Sequence, residues 1–446
     1  MTELRDALRG RVIDPSAPDY DALRKVWNGA IDRRPALIVR CADAADVAAS
    51  IRYARDGGLE IAVRAGGHGV AGQSVCDGGL VIDVAELKDV RFADEVVHAG
   101  SGLLNGEFDA TTQARGLATT AGIVSHTGLA GLTLGGGIGW LMRAHGATCD
   151  NLVGAQLVTA DGSIVEVGED DELLWALRGA GANFGVVTRL DLRVHQVGPD
   201  VLAGVLMYPA DRARAVLSTY RDFASHAPRE LTTIVNLRHA PPMPWVPDDL
   251  QGKPVVMIAL CWCGAPDAGE RVITALRAMA PVLDTVSVVP YSQHQRIFDP
   301  AVPHGLNYYW RSDYVCALDD AVIDVLVEHA WAARSPRSYT VIFQLGGALE
   351  DVDPASAVFS GRSGFAVNIN AVWPDDGFDD TDWVRGEWTA LHPHSTGVYL
   401  NFLDDEDPSR VAAAYGKAFD GLVELKRRFD PDNVFRHNHN IPPVRT

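Results

Sequence analysis

The stretch RAGGHGVAG, residues 64–72, follows a predicted strand at 59–63 and sets glycines on both sides of His68. Residues 67–72 spell the GxGxxG pattern of dinucleotide-binding loops, in which a helix must start inside the motif. The next residues, QSVCDGGLVIDV (73–84), contain turn residues and then a strand, so no helix fits there. The stretch therefore argues against a Rossmann-type NAD site and predicts another use for this loop.

Glycine clusters recur at 128–139 and 179–185, in the same half of the chain. Glycine lets backbone N–H groups approach a ligand closely, and successive N–H groups form anion-binding nests. Three clusters among apolar strands favour an extended diphosphate cofactor, with tight packing of loop against sheet as the alternative. Because glycine flanks His68 on both sides, its imidazole is unshielded and available as a nucleophile or ligand.

Composition limits the class of protein. The 446 residues are 47% hydrophobic, and 39 Lys and Arg against 58 Asp and Glu give a net charge of −19. This balance excludes a disordered chain and argues against nucleic acid or an anionic membrane as partner. No run approaches the ~18 apolar residues of a membrane helix, and the first residues lack a secretory h-region. Six cysteines without a CxxC pair suit a reducing compartment, so we expect a soluble cytoplasmic protein of undetermined oligomeric state.

The hydrophobic pattern predicts two lobes of α+β class. Strands at 36–39, 59–63 and 80–84 alternate with a helix at 42–55, and residues 151–167 predict two strands joined by an Asp161-Gly162 turn. Beyond residue 199, well-separated strands with helices between them predict one sheet covered on one face; they lie at 203–209, 230–238, 255–263, 340–347 and 365–373. Residues 408–429 predict one amphipathic helix, and the allegiance of the C-terminal segment stays open at this point.

Five blocks in order carry a family resemblance: RAGGHG with DGGLVIDV (64–84), HTGLAGLTLGGGIGW (126–140), GATCDNLVGAQLVTADG (146–162), LLWALRGAGANFGVVT (173–188) and FDPDNVFRHNHNIPP (429–443). The chain resembles the vanillyl-alcohol oxidase/para-cresol methylhydroxylase (PCMH) superfamily, and most closely the berberine-bridge-enzyme-like FAD-linked oxidases, including bacterial 6-hydroxy-D-nicotine-oxidase-like members. The resemblance implies a PCMH-type FAD-binding domain at 1–198 and a substrate-binding domain at 199–395 with an antiparallel sheet. It also implies that the segment 396–446 returns to the FAD domain.

The resemblance implies that FAD is bonded covalently to His68 through the 8α-methyl carbon of the flavin. Many family members add a second bond from a cysteine, but this chain has Val124 at that position, which implies a single link. The other cofactor-binding residues implied by the matching blocks are Arg64, Gly66, Gly67, Gly69, Gly72, Thr127, Gly128, Gly131, Gly135, Gly136, Gly137, Asp150, Asn151, Gly185, Val187, Asn438 and Asn440. A plain turn role for Asp150 is equally open. We expect no metal site, because His437 and His439 have no third ligand near them in sequence.

The strand FAVNINAVW (365–373) supplies candidates on the substrate side. Its alternation puts Asn368 and Asn370 on one face with Ala366, and two amides on an apolar strand are costly unless they are bonded or face a wet cleft. In relatives this strand lies over the flavin, and some carry a catalytic glutamate at the position of Ala366. The catalytic tyrosine that ends a YxNY motif in other relatives is Phe402 here, so base catalysis does not transfer.

The candidates that remain are Tyr399, Asn368, Asn370, Thr127 and Tyr309, with Tyr308 and Gln344 as further ones. Each is expected to position substrate rather than to take its proton, and plain strand aromatics are a comparable interpretation of Tyr308 and Tyr309. Thr127 precedes Gly128, where the family's second loop passes the flavin edge. A side chain of valine size there leaves room for O2, although Thr127 could also serve as a turn residue.

Together these residues predict an FAD-dependent oxidase. It would move a hydride from a small alcohol, amine, sugar or natural-product intermediate to flavin N5, with reoxidation by O2 to H2O2. A flavin dehydrogenase with another acceptor is one alternative, and a weakly active flavin-containing binding protein is another. The substrate stays open, because fold does not fix function.

Overall fold

The structure is a computed structural model and describes residues 2–404 and 408–444. Its first sheet has the strand order β1-β2-β4-β3, with β2, β3 and β4 parallel and β1 antiparallel. The elements of this part are β1 (Arg11–Ile13), β2 (Leu37–Arg40), β3 (Ile61–Arg64), β4 (Leu80–Asp83), α1 (Thr2–Ala7), α2 (Tyr20–Leu23) and α3 (Ala44–Asp56). The Asp43 carboxylate caps α3 by accepting a hydrogen bond from the Asp46 amide, and Val47 and Ile51 bury its apolar face.

The segment between β3 and β4 contains no helix, so the sequence-based exclusion of a Rossmann loop is confirmed. The predicted strands and the helix at 42–55 also form, with ends that differ by one or two residues. This agreement reflects strong local signals, since short apolar strands between glycine turns have few alternatives.

The second sheet is antiparallel, with strand order β5-β6-β10-β8-β9, and a separate two-stranded pair joins β7 to β11. The strands are β5 (Val90–Ala93), β6 (Val96–Gly100), β7 (Leu117–Ala118), β8 (Leu152–Val158), β9 (Ile164–Val167), β10 (Val186–Arg193) and β11 (His195–Gln196). The helices are α4 (Asn105–Gln113), α5 (Leu129–Leu134), α6 (Met142–His145) and α7 (Glu172–Leu177). The predicted turn at Asp161-Gly162 joins β8 to β9, and the Asp161 carboxylate accepts hydrogen bonds from Thr159 and Ser163.

The third sheet is antiparallel, with order β15-β12-β14-β13-β18-β19-β17-β20 and β16 paired to β12. Its strands are β12 (Asp200–Pro209), β13 (Leu231–His239), β14 (Pro254–Trp262), β15 (Leu283–Asp284), β16 (Ser287–Pro290), β17 (Asn307–Val315), β18 (Tyr339–Gln344), β19 (Phe365–Trp373) and β20 (Ser395–Gly397). The accompanying helices are α8 (Ala213–Ala224), α9 (Pro266–Arg277), α10 (Tyr291–His294), α11 (Asp320–His329) and α12 (Thr381–Leu391). Helices α8, α9, α11 and α12 cover one face, as predicted, and the opposite face packs towards the N-terminal half.

The single helix predicted at 408–429 is wrong in one respect, because it is interrupted. It forms α13 (Pro408–Tyr415) and α14 (Phe419–Phe429), separated by a 3₁₀ turn at Gly416–Ala418. Gly416 adopts a positive φ of 50°, a conformation that ends helices and that glycine tolerates best. Other 3₁₀ turns lie at Thr148–Asn151, Ala210–Arg212, Asp299–Ala301, Gly347–Leu349, His392–His394 and Leu400–Phe402.

The C-terminal segment packs against the N-terminal half. Leu422 and Leu425 of α14 join the core formed by the second sheet and α7, and the buried Lys426 ammonium donates to the Asn183 and Phe435 carbonyls and to Asp430.

The division of the chain into domains at 198/199 and 395/396 stays a prediction. The strand β20 crosses the second of these positions and pairs with β17. No helix of the described residues is long and apolar enough to cross a bilayer.

Candidate active site

A cavity of about 340 Å³ lies between the three glycine loops and the third sheet. The loops contribute Gly66, Gly67 and Gly69 from the first cluster, Gly128, Gly131 and Gly135 from the second and Gly181 from the third. The sheet contributes side chains from β13, β17, β18 and β19, and the C-terminal segment adds His437, Asn438 and His439. The cavity therefore brings together parts of the chain that are far apart in sequence.

The first two loops meet backbone to backbone at Gly66 and Gly128. A Cβ atom on Gly66 would lie 2.4 Å from the Gly128 nitrogen, and one on Gly128 would lie 2.5 Å from the Gly66 nitrogen. Since a side chain at either position would collide with main chain, both positions require glycine. At Gly69 and Gly131, by contrast, a Cβ would meet no atom within 4 Å. These two glycines leave their backbone open towards the cavity.

His68 lies in a cluster of rings. Its imidazole stacks on Trp27 with ring centroids 4.2 Å apart, and His126 and His304 lie 5.0 and 6.3 Å away. Burial, followed by the neighbouring His126 and His304, holds the pKa of His68 well below its usual value. The imidazole is therefore neutral at pH 7 and keeps a lone pair, which is the form a nucleophilic nitrogen needs. Its buried Nε2 atom has no hydrogen-bond partner among the described residues.

The third sheet closes the cavity with two rows of side chains across four neighbouring strands. One row pairs Arg238 with Tyr339, Tyr339 with Asn370 and Asn370 with Trp310. The next row runs through Asn236, Val341, Asn368 and Ser312 in the same strand order. Alternation along each strand puts these residues on the face opposite the helices.

The two asparagines of β19 are bonded to each other. Asn368 Nδ2 donates to Asn370 Oδ1 at 3.1 Å, and Asn370 Nδ2 donates to the Asn368 carbonyl at 2.8 Å. The buried Asn368 Oδ1 has no partner among the described residues. One amide oxygen is therefore left to accept a hydrogen bond from a ligand.

Tyr399 lies between the second glycine loop and the cavity. Its hydroxyl accepts hydrogen bonds from the Gly137 amide at 2.8 Å and from Asn401 Nδ2 at 2.9 Å. Burial raises the pKa of Tyr399 above its usual value, so the phenol stays protonated at pH 7 and can donate. Among the described residues no Asp or Glu lines the cavity. The arrangement can therefore position a substrate, but it offers no carboxylate base.

The side chains fit a large polar cofactor of the FAD type. Ser74 Oγ, Asn438 Oδ1 and His68 Nε2 are buried without partners among the described residues, and all three residues line the cavity. Buried polar atoms are rarely left unpaired, so these point to a ligand that would pair with them. The open backbone at Gly69 and Gly131 suits a diphosphate.

Family models match two parts of the chain, an FAD-binding domain at residues 35–168 and a berberine and berberine-like domain at 398–442. An FAD-linked oxidoreductase from Dictyostelium discoideum is 33% identical over 458 residues, which cover 100% of this chain and 97% of that protein. The chain belongs to the berberine-like FAD-linked oxidoreductases. The resemblance seen in the sequence blocks is thereby confirmed, as is the expectation of an FAD-linked oxidoreductase.

Two further matches of this oxidoreductase are 6-hydroxynicotine oxidases, one among the sequences and one among the solved structures. The (R)-6-hydroxynicotine oxidase of Paenarthrobacter nicotinovorans is 29% identical, with 98% of this chain and 97% of that protein covered. The crystal structure of 6-hydroxy-D-nicotine oxidase from Arthrobacter nicotinovorans superposes with a TM-score of 0.87 at 28% identity, covering 98% of each chain. A glucooligosaccharide oxidase from Acremonium strictum, which carries a 6-S-cysteinyl, 8α-N1-histidyl FAD, shares the fold with a TM-score of 0.87 at 20% identity over 99% of each chain.

The structure brings about half of the predicted cofactor residues of this oxidoreductase to the cavity. They are His68, Gly66, Gly67, Gly69, Thr127, Gly128, Gly131, Gly135 and Asn438. The candidates Tyr399, Asn368 and Asn370 line it as well. These placements agree with the expected neighbourhood, and the individual roles stay predictions.

The other predicted cofactor residues of the oxidoreductase do not line the cavity. Arg64 pairs with Asp83 at 2.6 Å, Asp150 pairs with Arg362 at 2.6 Å, and Asn151 donates to the His145 and Ala147 carbonyls. Their contact with the cofactor, which the matching blocks imply, stays a prediction for the following residues: Arg64, Gly72, Gly136, Gly137, Asp150, Asn151, Gly185, Val187 and Asn440. Several of them are held by ion pairs or by close packing of the loops. A Cβ on Gly72, for example, would collide with Ile31.

Three candidate substrate residues of the oxidoreductase do not line the cavity. Tyr309 lies on the helix side of the third sheet, where its hydroxyl accepts a hydrogen bond from Arg311 Nε at 3.0 Å. Gln344 is on that same side and bonds Thr233 and the Ala224 carbonyl. Tyr308 faces the other way but is covered by Trp27, with centroids 3.6 Å apart. Strand alternation explains the first two, because neighbours of cavity residues point to the opposite face.

Sequence reasoning missed several lining residues of the oxidoreductase, above all Trp27, Asn236, Arg238 and Trp310. The strand at 230–238 carries the same signal that identified Asn368 and Asn370. Asn236 and Arg238 share one face of this strand with Thr232 and Ile234. No such pattern surrounds Trp27, which reaches His68 only through the tertiary fold.

Proposed function

We propose that the protein is an FAD-dependent oxidase of a small molecule. It would convert a carbon bearing a hydroxyl or amine into a carbonyl or imine, releasing a hydride and a proton, and would reduce O2 to H2O2 with the same two electrons. The observation that carries this proposal is the cavity itself, in which the neutral His68, the glycine loops and the amide-bearing sheet face one another. The nicotine oxidases and sugar oxidases among the relatives support oxidase chemistry.

The cofactor would be held by one covalent bond, from His68. Support comes from the stacked neutral imidazole and from Val124, which lines the cavity at the position where relatives carry a cysteine. No cysteine lines the cavity in the described part of the chain. The nearest one in sequence, Cys149, is buried and donates to Asp150 Oδ1 at 3.7 Å.

FAD, when bound, supplies the two-electron acceptor that can pass electrons on to O2. The residues of the chain would then bind and orient the substrate. Asn368 Oδ1 accepts a hydrogen bond from the hydroxyl or amine, and the Tyr399 O–H donates towards the reacting end. Thr127 leaves space for O2, and the apolar side chains Phe298, Val302, Phe343 and Phe402 exclude water from the rest of the cavity.

The proposed location is the cytoplasm. In support, all six cysteines are unpaired and four of them are buried, which suits a reducing compartment. A flavin dehydrogenase with another acceptor is the nearest second function, because the cavity residues would bind substrate in the same way. The missing carboxylate also keeps a weakly active binding protein as an alternative.

The test is to add candidate substrates anaerobically to the yellow holoenzyme, and then to admit air. Alcohols, amines, sugars, phenolics and organic acids would be screened for bleaching of the flavin colour and for peroxide release. An oxidase bleaches with its substrate and recovers colour in air with one H2O2 per substrate. Bleaching that air does not reverse would favour the dehydrogenase, and no bleaching by any class would favour the binding protein.

A further inference from the structure

Arg238, near the end of β13, is a buried cation that faces the cavity. Only 6% of the surface of Arg238 is exposed. Its Nε donates a hydrogen bond to the neighbouring His239 carbonyl at 3.2 Å. The guanidinium carbon lies 5.0 Å from the centre of the Tyr339 ring. Among residues 2–404 and 408–444, no Asp or Glu forms an ion pair with it.

In other buried arginines of the chain, the guanidinium charge is balanced by a carboxylate or solvated by several backbone carbonyls. Arg64 pairs with Asp83, and Arg410 pairs with Asp313 at 2.8 Å. Arg143 has no carboxylate partner in the part of the chain that the structure describes, but it donates to the carbonyls of Leu231, Leu345 and Ala227. Arg238 has no ion pair and a single carbonyl bond, to His239, among the described residues, although a guanidinium carries five N–H donors.

An unpaired buried charge is expensive, because it loses its hydration without gaining an opposite charge. The burial of Arg238 accordingly lowers its pKa from the usual value, while the nearby Tyr339 acts in the opposite direction. A chain that keeps such a group in a cavity gains from it when an anion enters. Within the described ranges, the cavity lining holds no carboxylate that could play this part.

The surroundings of Arg238 define what else the anion would carry. The buried Asn236 Nδ2 and Trp310 Nε1 are donors without partners, and Asn368 Oδ1 is an acceptor without one, among the described residues. Phe298, Val302 and Phe343 supply apolar walls. A matching ligand has an anionic end, an apolar body and one hydroxyl or amine that donates.

We propose that Arg238 binds the carboxylate of the substrate, so that the enzyme oxidises small organic acids bearing a hydroxyl or amino group on an apolar body. This inference rests on the proposed function, since it names the substrate class of the same cavity. An organic carboxylate is favoured over a free inorganic anion because apolar side chains fill most of the lining. Arg238 would position the acid and would take no part in the proton or hydride transfer.

Calorimetric titration of the holoenzyme tests the proposal without requiring turnover. The probes are acid and amide pairs of equal shape: benzoate with benzamide, phenylacetate with phenylacetamide, and mandelate with mandelamide, with inorganic phosphate as the free-anion probe. The variants are Arg238→Gln, Arg238→Lys and, as a control for general positive charge, Arg337→Gln. Arg337 is exposed and lies close enough to influence Arg238 electrostatically.

In the wild type we expect at least one acid to bind about tenfold or more tightly than its amide, since a hydrogen bond to a charged group is worth more than one to a neutral group. Arg238→Gln should abolish this preference, Arg238→Lys should keep part of it, and Arg337→Gln should leave it intact. Equal affinities for acid and amide in every pair of the wild type would overturn the proposal. An acid preference that survives in Arg238→Gln would also overturn it, and phosphate binding as tight as the best acid would assign the site to a free anion instead.

The thermal midpoint gives a second readout. Arg238→Gln should unfold at or above the wild-type temperature, because it removes an uncompensated buried charge. A marked loss of stability would identify Arg238 as a structural residue and contradict the proposal. A holoenzyme that binds acids selectively but never bleaches would contradict the oxidase assignment alone, so the two failures are distinguishable.

Discussion

Trp27 lies against the imidazole of His68, with ring centroids 4.2 Å apart and planes inclined by 16°. The indole is itself held, because its Nε1 donates to the Val302 carbonyl at 2.9 Å and the Trp27 amide donates to the Gly67 carbonyl at 3.0 Å. A residue from the N-terminal segment thus fixes the ring plane of His68 on the first glycine loop. A fixed, neutral imidazole is prepared to form a bond.

The first prediction is that Trp27→Leu slows attachment of flavin to the chain. A stacked aromatic pair contributes about 0.5–1.5 kcal/mol, so losing it should slow attachment roughly 2–10-fold. The measurement adds FAD to apoprotein and follows flavin that resists denaturation over time. Trp383→Leu, on the helix side of the third sheet, is the matched control and should attach flavin at the wild-type rate. Equal rates in Trp27→Leu and wild type would contradict a role for the stack.

The second prediction concerns Thr127, which lines the cavity and bonds its neighbours through its backbone amide and carbonyl. Thr127→Leu should slow reoxidation of the reduced enzyme by O2 about tenfold or more while reduction by substrate changes little, because the longer side chain fills the space beside Gly128. Anaerobic reduction followed by mixing with oxygenated buffer measures both steps. Thr127→Val keeps the side-chain volume and should react as the wild type does, whereas unchanged reoxidation in Thr127→Leu would rule out gating.

The third prediction separates cavity polar residues from core polar residues. Asn368→Leu should lower turnover about tenfold or more with a modest loss of stability, because its Oδ1 has no partner among the described residues and faces the cavity. Gln344→Leu is the control, since that amide bonds Thr233 and the Ala224 carbonyl on the far face. It should destabilise the fold and leave turnover of the folded fraction unchanged. The reverse pattern would assign Asn368 to the core.

The fourth prediction concerns stability against pH. Burial raises the pKa of Glu387 to about 8, and its only described hydrogen bond comes from Thr340 at 2.7 Å. The carboxyl of Glu387 has a pKa of ~4.3 in the unfolded chain. Between that pH and its pKa in the folded protein, the unfolded chain has released the proton and the folded protein keeps it, so stability falls as pH rises. Glu387→Gln should remove this loss of stability. At pH 8 its thermal midpoint should lie about a few degrees above that of the wild type, and at pH 4 the two should differ little. Glu328→Gln, an exposed change in α11, should show no such dependence, and a parallel shift at both pH values would contradict the assignment.

Local sequence patterns predicted those parts of the site that a single short segment of the chain forms. The glycine loops and His68 were identified from residues 64–72 and 128–139, because backbone approach and a bare imidazole are properties of the sequence itself. Alternation in 365–373 likewise predicted the face of Asn368 and Asn370, and the structure puts both residues at the cavity.

The rest depended on packing between distant segments. The residue type of Tyr309 suits a cavity, but one residue of register decides that it faces the helices. Trp27 reaches the cavity through long-range contacts that no local pattern carries, whereas Arg238 lies on a strand whose alternation does carry a signal. The break at Gly416 within 408–429 was missed because the amphipathic pattern continues across it.

The most direct test of the account is whether flavin stays on the denatured chain through His68. Wild-type protein and His68→Ala are denatured, separated on a gel, treated with acid and viewed under ultraviolet light, with His126→Ala as a control for the neighbouring ring. The account predicts a fluorescent wild-type band, a fluorescent His126→Ala band and a dark His68→Ala band whose flavin is recovered in the supernatant. A dark wild-type band, or a fluorescent His68→Ala band, would contradict it.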